Sequence, residues 1–371
     1  MSGVAFRKKT KLLFFLIVVI AVFCPAGELN TKNLPLDKTR HITIDEIKPG
    51  MKAYCLTIYK DTNIEKFNLE VLSVIRNIAP GKNAILVQGT DERFIHTGPV
   101  AGCSGSPVYI EGRLAGALAF GWAFSKDALY GVTPIEEMLR VGQIQSTKQE
   151  GLTIDFSRPI DFTMINRELT RYTVAKNNTI LGATALPCPL ITSGVSSQAC
   201  EQLETFAEPL GLMVVAGSGI EADTSHDENV QLAPGACLAV PVVTGDIKME
   251  IIGTVTDVVG DRVYGFGHNF LGYGPVDLPM ATGRVHAVIS NIYSSFKVGS
   301  SIRIVGALTN DESTGVCGRI GLQPSMIPMT ITIDHYNDTK KRTYNCRLVN
   351  NQILTGQIAG LGARRETGSS S

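Results

Sequence analysis

Short apolar runs rich in β-branched residues, each closed by a glycine or proline turn, set the tightest limit on how this chain can fold. Between His41 and Gly142 the runs AYCLTIY, FNLEVLSVI, AILVQG and SPVYIEGRLAGALAFGWAF follow one another, broken at Pro49-Gly50, Pro80-Gly81 and Glu111-Gly112. Runs of this length and composition fit strands joined by tight turns. The same texture returns from Leu232 in CLAVPVVTG, MEIIGTVTDVV, RVYGFGHNF, VHAVISNIY, SIRIVGALT, MTITIDHY and YNCRLVN. Glycine accounts for 37 of 371 residues, above the usual ~7%, as turn-rich β structure requires. The pattern predicts a mostly β chain with two barrel-like or sandwich units, at 40–142 and 232–362. Residues 143–231 separate them as a polar connector followed by an inserted α+β segment. That segment holds one helix, SSQACEQLETFAEPL, starting near Ser196 and ending before Pro209. A shorter helix is expected over Thr133–Leu139, with Thr133 as its cap and Pro134 in its first turn. The tail 363–371 reads as disordered.

Charge excludes one large class of function. Lys plus Arg number 34 and Asp plus Glu 34, and only 18% of residues are charged, so no net field draws the chain onto a nucleic acid. The exception to this even spread is the N-terminus, where Arg7, Lys8, Lys9 and Lys11 precede the uncharged run Leu12–Phe23. That run is shorter than the ~20 residues a membrane-spanning helix needs, and Ala26 offers a small-residue cleavage site. Residues 1–26 are therefore expected to be a signal peptide. It directs the protein to the periplasm, the cell envelope or the exterior, with membrane contact only through this segment if it is uncleaved. Phe23 stands where lipoprotein processing at Cys24 wants a small residue. Seven cysteines remain after cleavage, an odd number without a CxxC pair. Burial is their expected fate, with Cys188 and Cys200 as the one candidate pair. The six histidines are too scattered for a zinc site, and neither metal nor cofactor is expected.

Two glycine-framed segments carry chemistry. In TGPVAGCSGSPVYI, Gly102-Cys103-Ser104-Gly105-Ser106-Pro107 lies between two strands. A serine nucleophile needs an exposed hydroxyl and backbone N–H groups turned toward a developing oxyanion, and glycines permit the angles that achieve both. Ser104 is the nucleophile candidate, with the N–H groups of Gly102 and Ser104 as the oxyanion hole; the competing reading is a plain hairpin turn. In RVYGFGHNF, glycines flank a bend that presents His268, the candidate general base. His96 is its rival, and His286 reads as an ordinary strand residue.

These residues also support a resemblance. TGPVAGCSGSPVYIEGRLAGALAFGW, followed by GVTPIEEML, resembles the serine-bearing end of the SpoIVB peptidase domain. YGFGHNF is similar to that family's Gly-His-Gly segment. The resemblance implies a chymotrypsin-like double β-barrel and a Ser-His-Asp arrangement, with Ser104 as nucleophile, His268 as base and Asp91 as the orienting carboxylate. Asp277 is the alternative carboxylate. Asp246 and Asp257 read as turn or strand-end residues, and Glu92 as solvated. The order of the two motifs is inverted relative to the family, as in a circular permutation. Cys103 replaces a methionine, Asn269 replaces a glycine, and no PDZ-like domain is visible. Two functions follow: an exported serine endopeptidase acting on peptide or protein substrates, or an inactive peptidase-like module that binds or scaffolds in the cell envelope. A Cys103 nucleophile is a weaker third. The oligomeric state is left open.

Overall fold

The computed structural model describes residues 36–79, 81–122, 124–143, 182–217, 229–272, 274–333, 341–351 and 353–363. The expected signal peptide, residues 144–181 and 218–228 of the expected 143–231 connector and insert, and residues 364–371 of the tail lie outside these. Among the described residues no helix is long and apolar enough to cross a membrane.

Seven strands precede the inserted segment: β1 (Lys52–Ile58), β2 (Ile64–Ala79), β3 (Lys82–Gly89), β4 (Val100–Ala101), β5 (Pro107–Ile110), β6 (Arg113–Trp122) and β7 (Leu129–Pro134). Six of them pair antiparallel in the order β5-β1-β2-β3-β7-β6, and β5 pairs back onto β6 to close the ring. Closure removes most of the unpaired edge an open sheet would expose, β5 covering β6 over Arg113–Ala117 and leaving its far end open to another strand. Phe67, Val71, Ile85, Val87, Val108, Ile110, Leu118 and Val132 are fully buried and fill the interior. Helix α1 (Glu92–Thr97) contributes Phe94, whose ring stacks on Phe67 at 4.7 Å and meets Tyr130 at 5.1 Å.

The inserted part contains β8 (Ala183–Ala185), β9 (Cys188–Ser193), helix α3 (Ser197–Ala207) and β10 (Leu212–Ala216). Ser196 caps α3 as expected, its side chain accepting from the Ala199 N–H at 3.3 Å. The earlier helix differs from expectation. Thr133 belongs to β7, and α2 (Ile135–Met138) starts from Pro134 without a side-chain cap. The Thr133 hydroxyl is committed elsewhere, donating to the Gly267 carbonyl at 2.6 Å.

A second ring is built from β11 (Cys237–Gly245), β12 (Lys248–Val259), β13 (Arg262–Gly265), β14 (Gly274–Ile289), β15 (Ser295–Glu312) and β16 (Gly315–Ile320). The order β12-β13-β16-β15-β14-β11 closes by pairing of β11 with β12, again antiparallel throughout. Strands β9 and β10 extend it beyond β12; β18 (Arg342–Val349) and β17 (Met326–Ile333) extend it beyond β11. Helix α4 (Leu354–Ala363) ends the described chain, where the sequence pattern places the last part of the second barrel unit, 232–362. Leu238, Ile251, Val255, Val263, Phe266, Leu278, Met280, Leu308 and Val316 are fully buried in this core. The fold is a chymotrypsin-like double β-barrel. Its strands β14 and β15 are longer than the runs VHAVISNIY and SIRIVGALT suggested. They are bent by several register shifts, and glycine, proline and a buried Lys297 interrupt their apolar pattern.

All seven described cysteines are buried, and no disulfide joins Cys188 to Cys200. Cys188 packs in the second core, and Cys200 Sγ faces Thr192 Oγ1 at 3.4 Å. Burial pushes the Cys237 thiol up to about 12 and that of Cys317 up to about 11, which keeps both protonated and unreactive near neutral pH.

Phe94→Ala should cost about 3–5 kcal/mol of stability in denaturant unfolding, because it empties the centre of the aromatic stack. Ile292→Ala, at a side chain wholly in solvent, should change stability by less than about 0.5 kcal/mol.

Candidate active site

Ser104 sits in the turn between β4 and β5, and the second barrel holds that turn in place. Thr254 on β12 donates its N–H to the Ser104 carbonyl at 2.9 Å and its hydroxyl to the Gly102 carbonyl at 3.0 Å. Thr256 donates to the Gly105 carbonyl at 2.7 Å. The approach is so close that only glycine fits at 105: its φ is +93°, and a Cβ there would lie 2.0 Å from the Thr254 carbonyl oxygen. Behind the turn, Lys297 is 1% exposed. Its Nζ donates to Thr57 Oγ1 at 2.7 Å and reaches Thr254 Oγ1 at 3.4 Å, so the buried amine has hydrogen-bond partners.

His268 follows β13 in a loop held by the first barrel through Thr133 and the Gly267 carbonyl. Phe266, fully buried, adopts φ +63°, a conformation costing a bulky residue on the order of 1–3 kcal/mol that surrounding contacts must offset. After the histidine, the fully buried Asp311 accepts from the N–H groups of Phe270 at 3.1 Å, Leu271 at 2.5 Å and Gly272 at 2.7 Å. A carboxylate with three backbone donors fixes the course of that loop.

The two loops bring Ser104 Oγ to 2.8 Å from His268 Nε2. The other ring nitrogen, Nδ1, lies 2.8 Å from the Asn269 carbonyl oxygen. A carbonyl only accepts, so Nδ1 carries the proton and Nε2 is left as acceptor for the serine hydroxyl. This is the geometry in which an imidazole can take a proton from a nucleophile.

The expected carboxylate is elsewhere. Asp91 is the N-cap of α1, accepting from the Arg93 N–H at 3.1 Å, and its other contacts go to the Arg93 guanidinium at 3.0 and 3.3 Å. That guanidinium holds the Asp91 carboxyl below the usual carboxylate range. Asp91 is therefore a cap and ion-pair partner rather than the group that orients His268. Asp277 is exposed and accepts from the Ser325 N–H at 3.1 Å, so it does not serve either. Asp246 accepts from the Asn345 N–H and Asp257 pairs with Arg40. His96 is exposed on α1, and His286 Nε2 faces Ser300 Oγ at 3.0 Å. Cys103 is buried in the first core with its sulfur 3.9 Å from Thr57 Oγ1. Of the two expected oxyanion donors, the Ser104 N–H meets no backbone acceptor among the described residues. The Gly102 N–H donates to the Pro187 carbonyl at 3.3 Å.

Removing the Asp91 carboxylate tests this assignment. Asp91→Ala should cost about 0.5–2 kcal/mol as a lost helix cap while leaving the His268 ring nitrogen resonances in place. Asp311→Ala, which leaves buried N–H groups unsatisfied, should cost at least about 1–3 kcal/mol and move those resonances.

Residues 21–139 match the model of the SpoIVB peptidase S55 family. The matched segment runs from before β1 to the end of α2 and contains Ser104. Comparison with curated proteins finds no match, and comparison with solved structures finds none. Residues 21–139 of this double-barrelled chain are thus similar to the SpoIVB peptidase S55 family, a likeness that covers the first barrel and the Ser104 turn.

Proposed function

We propose that the protein is an exported serine endopeptidase in which Ser104 is the nucleophile and His268 the general base. The observation that carries the reading is the 2.8 Å contact between Ser104 Oγ and His268 Nε2, made by loops from two different barrels. The basic then apolar N-terminal segment supports export.

In this reading the serine oxygen attacks the carbonyl carbon of the scissile peptide bond as its proton passes to Nε2. The oxyanion is met by backbone N–H groups of the Gly102–Ser104 turn; one such donor contributes about 2.7–4 kcal/mol to the transition state. The carbon–nitrogen bond breaks and the leaving amine takes the proton from Nε2. Water then attacks the acyl ester, giving its proton to the same nitrogen, and the serine hydroxyl is regenerated as the acid product leaves. The Asn269 carbonyl accepts from the imidazolium Nδ1–H in the role a carboxylate fills in a Ser-His-Asp triad. Asp311 positions the loop that carries His268.

The full chain without residues 1–26, assayed on denatured protein substrates, should lose activity about 10⁶-fold in kcat on Ser104→Ala. His268→Ala should cost a similar amount, and the double variant little more, because the two act as one unit. Undiminished hydrolysis by Ser104→Ala would overturn the assignment, and absence of hydrolysis by every form would favour the binding-module reading.

A further inference from the structure

The site is closed by the chain's own backbone. Ser104 is fully buried and His268 is 3% exposed, and the segment Ala183–Pro187 lies across them. Its strand β8 adds antiparallel to β6 with Ala183 opposite Trp122, Thr184 opposite Gly121 and Ala185 opposite Phe120. The ladder continues through the Leu186 N–H, which donates to the Ala119 carbonyl at 2.9 Å. The next carbonyl, that of Leu186, stands 3.3 Å from Ser104 Oγ. An extended segment added to a sheet edge, with a carbonyl delivered to a nucleophilic hydroxyl, is how a peptide would be presented for acyl transfer. Leu186 itself is 3% exposed. Its side chain lies over Gly121, where an added Cβ would come within 2.9 Å of Leu186 Cδ2 and 3.2 Å of Pro99 Cβ.

Resting on the peptidase reading, we propose that Ala183–Pro187 is an internal pseudosubstrate. The groove along β6 takes an extended peptide whose residue before the scissile bond is apolar and leucine-sized, seated over Gly121. Three features keep this segment intact. The Gly102 N–H is taken by the Pro187 carbonyl, one residue beyond the carbonyl beside the hydroxyl, so that oxyanion donor is out of register. The single serine proton is shared between Nε2 and the Leu186 oxygen. The bond itself leads into Pro187, whose ring crowds the preceding residue. Both flanks are also tied down, β8 on β6 and the Cys188 N–H on the Gly211 carbonyl. Opening the site therefore means releasing β8 from β6.

The test compares the full chain lacking residues 1–26 with its Leu186→Ala variant. Each is treated with a small fluorophosphonate and then assayed on Ala-Thr-Ala-Xaa amide substrates that release a fluorescent amine. Leu186→Ala should label at least about tenfold faster, since losing a buried leucine side chain weakens the closed form by that order. The opened variant should cleave the Xaa = Leu substrate at least about tenfold faster than the Xaa = Lys or Xaa = Asp substrates. Gly121→Val, which fills the seat, should abolish the leucine preference. Hydrogen exchange at Thr184 and Leu186 in the unaltered chain provides a readout that does not depend on the variant folding, because labelling must displace the segment and speed exchange there. Equal labelling rates with unchanged exchange would overturn the pseudosubstrate while leaving the peptidase reading standing. Equal cleavage of the lysine and leucine substrates would overturn the specificity. No labelling of any form would overturn the peptidase reading and this inference with it.

Discussion

Everything at the candidate site depends on a reciprocal clamp between the two barrels. The serine turn leaves the first barrel and is fastened by Thr254 and Thr256 of the second. The histidine loop leaves the second and is fastened by Thr133 of the first. Strand β4 adds a further tie, pairing parallel with the start of β15 at Val100–Ser295 and Ala101–Phe296. None of these bonds is strong alone, about 0.5–1.5 kcal/mol net for a typical one. Their value is geometric: an error of 1 Å between nucleophile and base costs on the order of 10²-fold in rate. Bonds that each barrel makes to the other's loop restrict that error more than bonds within either barrel could.

The glycine-rich turns were legible in the sequence because their chemistry is local. Gly105 has to be glycine for reasons of φ and close approach, and that need leaves a mark in the string Gly-x-Ser-Gly-x-Pro. Short apolar runs closed by Pro-Gly and Glu-Gly turns marked the strands of the first barrel in the same way. Asp91 was misread because an acidic residue just ahead of a helix is also the usual form of an N-cap, and here Arg93, two positions on, claims the carboxylate. Asp311 and Lys297 left no such mark. One lies in the polar stretch at the end of β15 and the other near its start, in a segment that reads as a loop. Their roles arise from burial beside loops distant in sequence. Leu186 was equally hidden, since nothing local tells a leucine in an inserted segment that it will lie across a serine hydroxyl.

The site unites two properties often treated as opposed. Its reacting groups are aligned, with the tautomer set by the Asn269 carbonyl, and its entrance is filled by a segment that satisfies the same backbone edges a substrate would use. A closed form of this kind costs nothing in catalytic geometry, because opening requires only that β8 leave β6. Phe266 at φ +63° and the three N–H groups gathered by Asp311 show where the structure spends stability to hold the histidine loop.

The claim at the centre of this account is that Ser104, and no other residue, is the nucleophile that His268 activates. Peptide mapping by mass spectrometry after fluorophosphonate treatment measures it directly. A single adduct on the peptide carrying Ser104, absent when His268 is replaced by alanine, is the expected result. An adduct on Ser106 or on any residue outside that turn, or one that persists unchanged in His268→Ala, would contradict it.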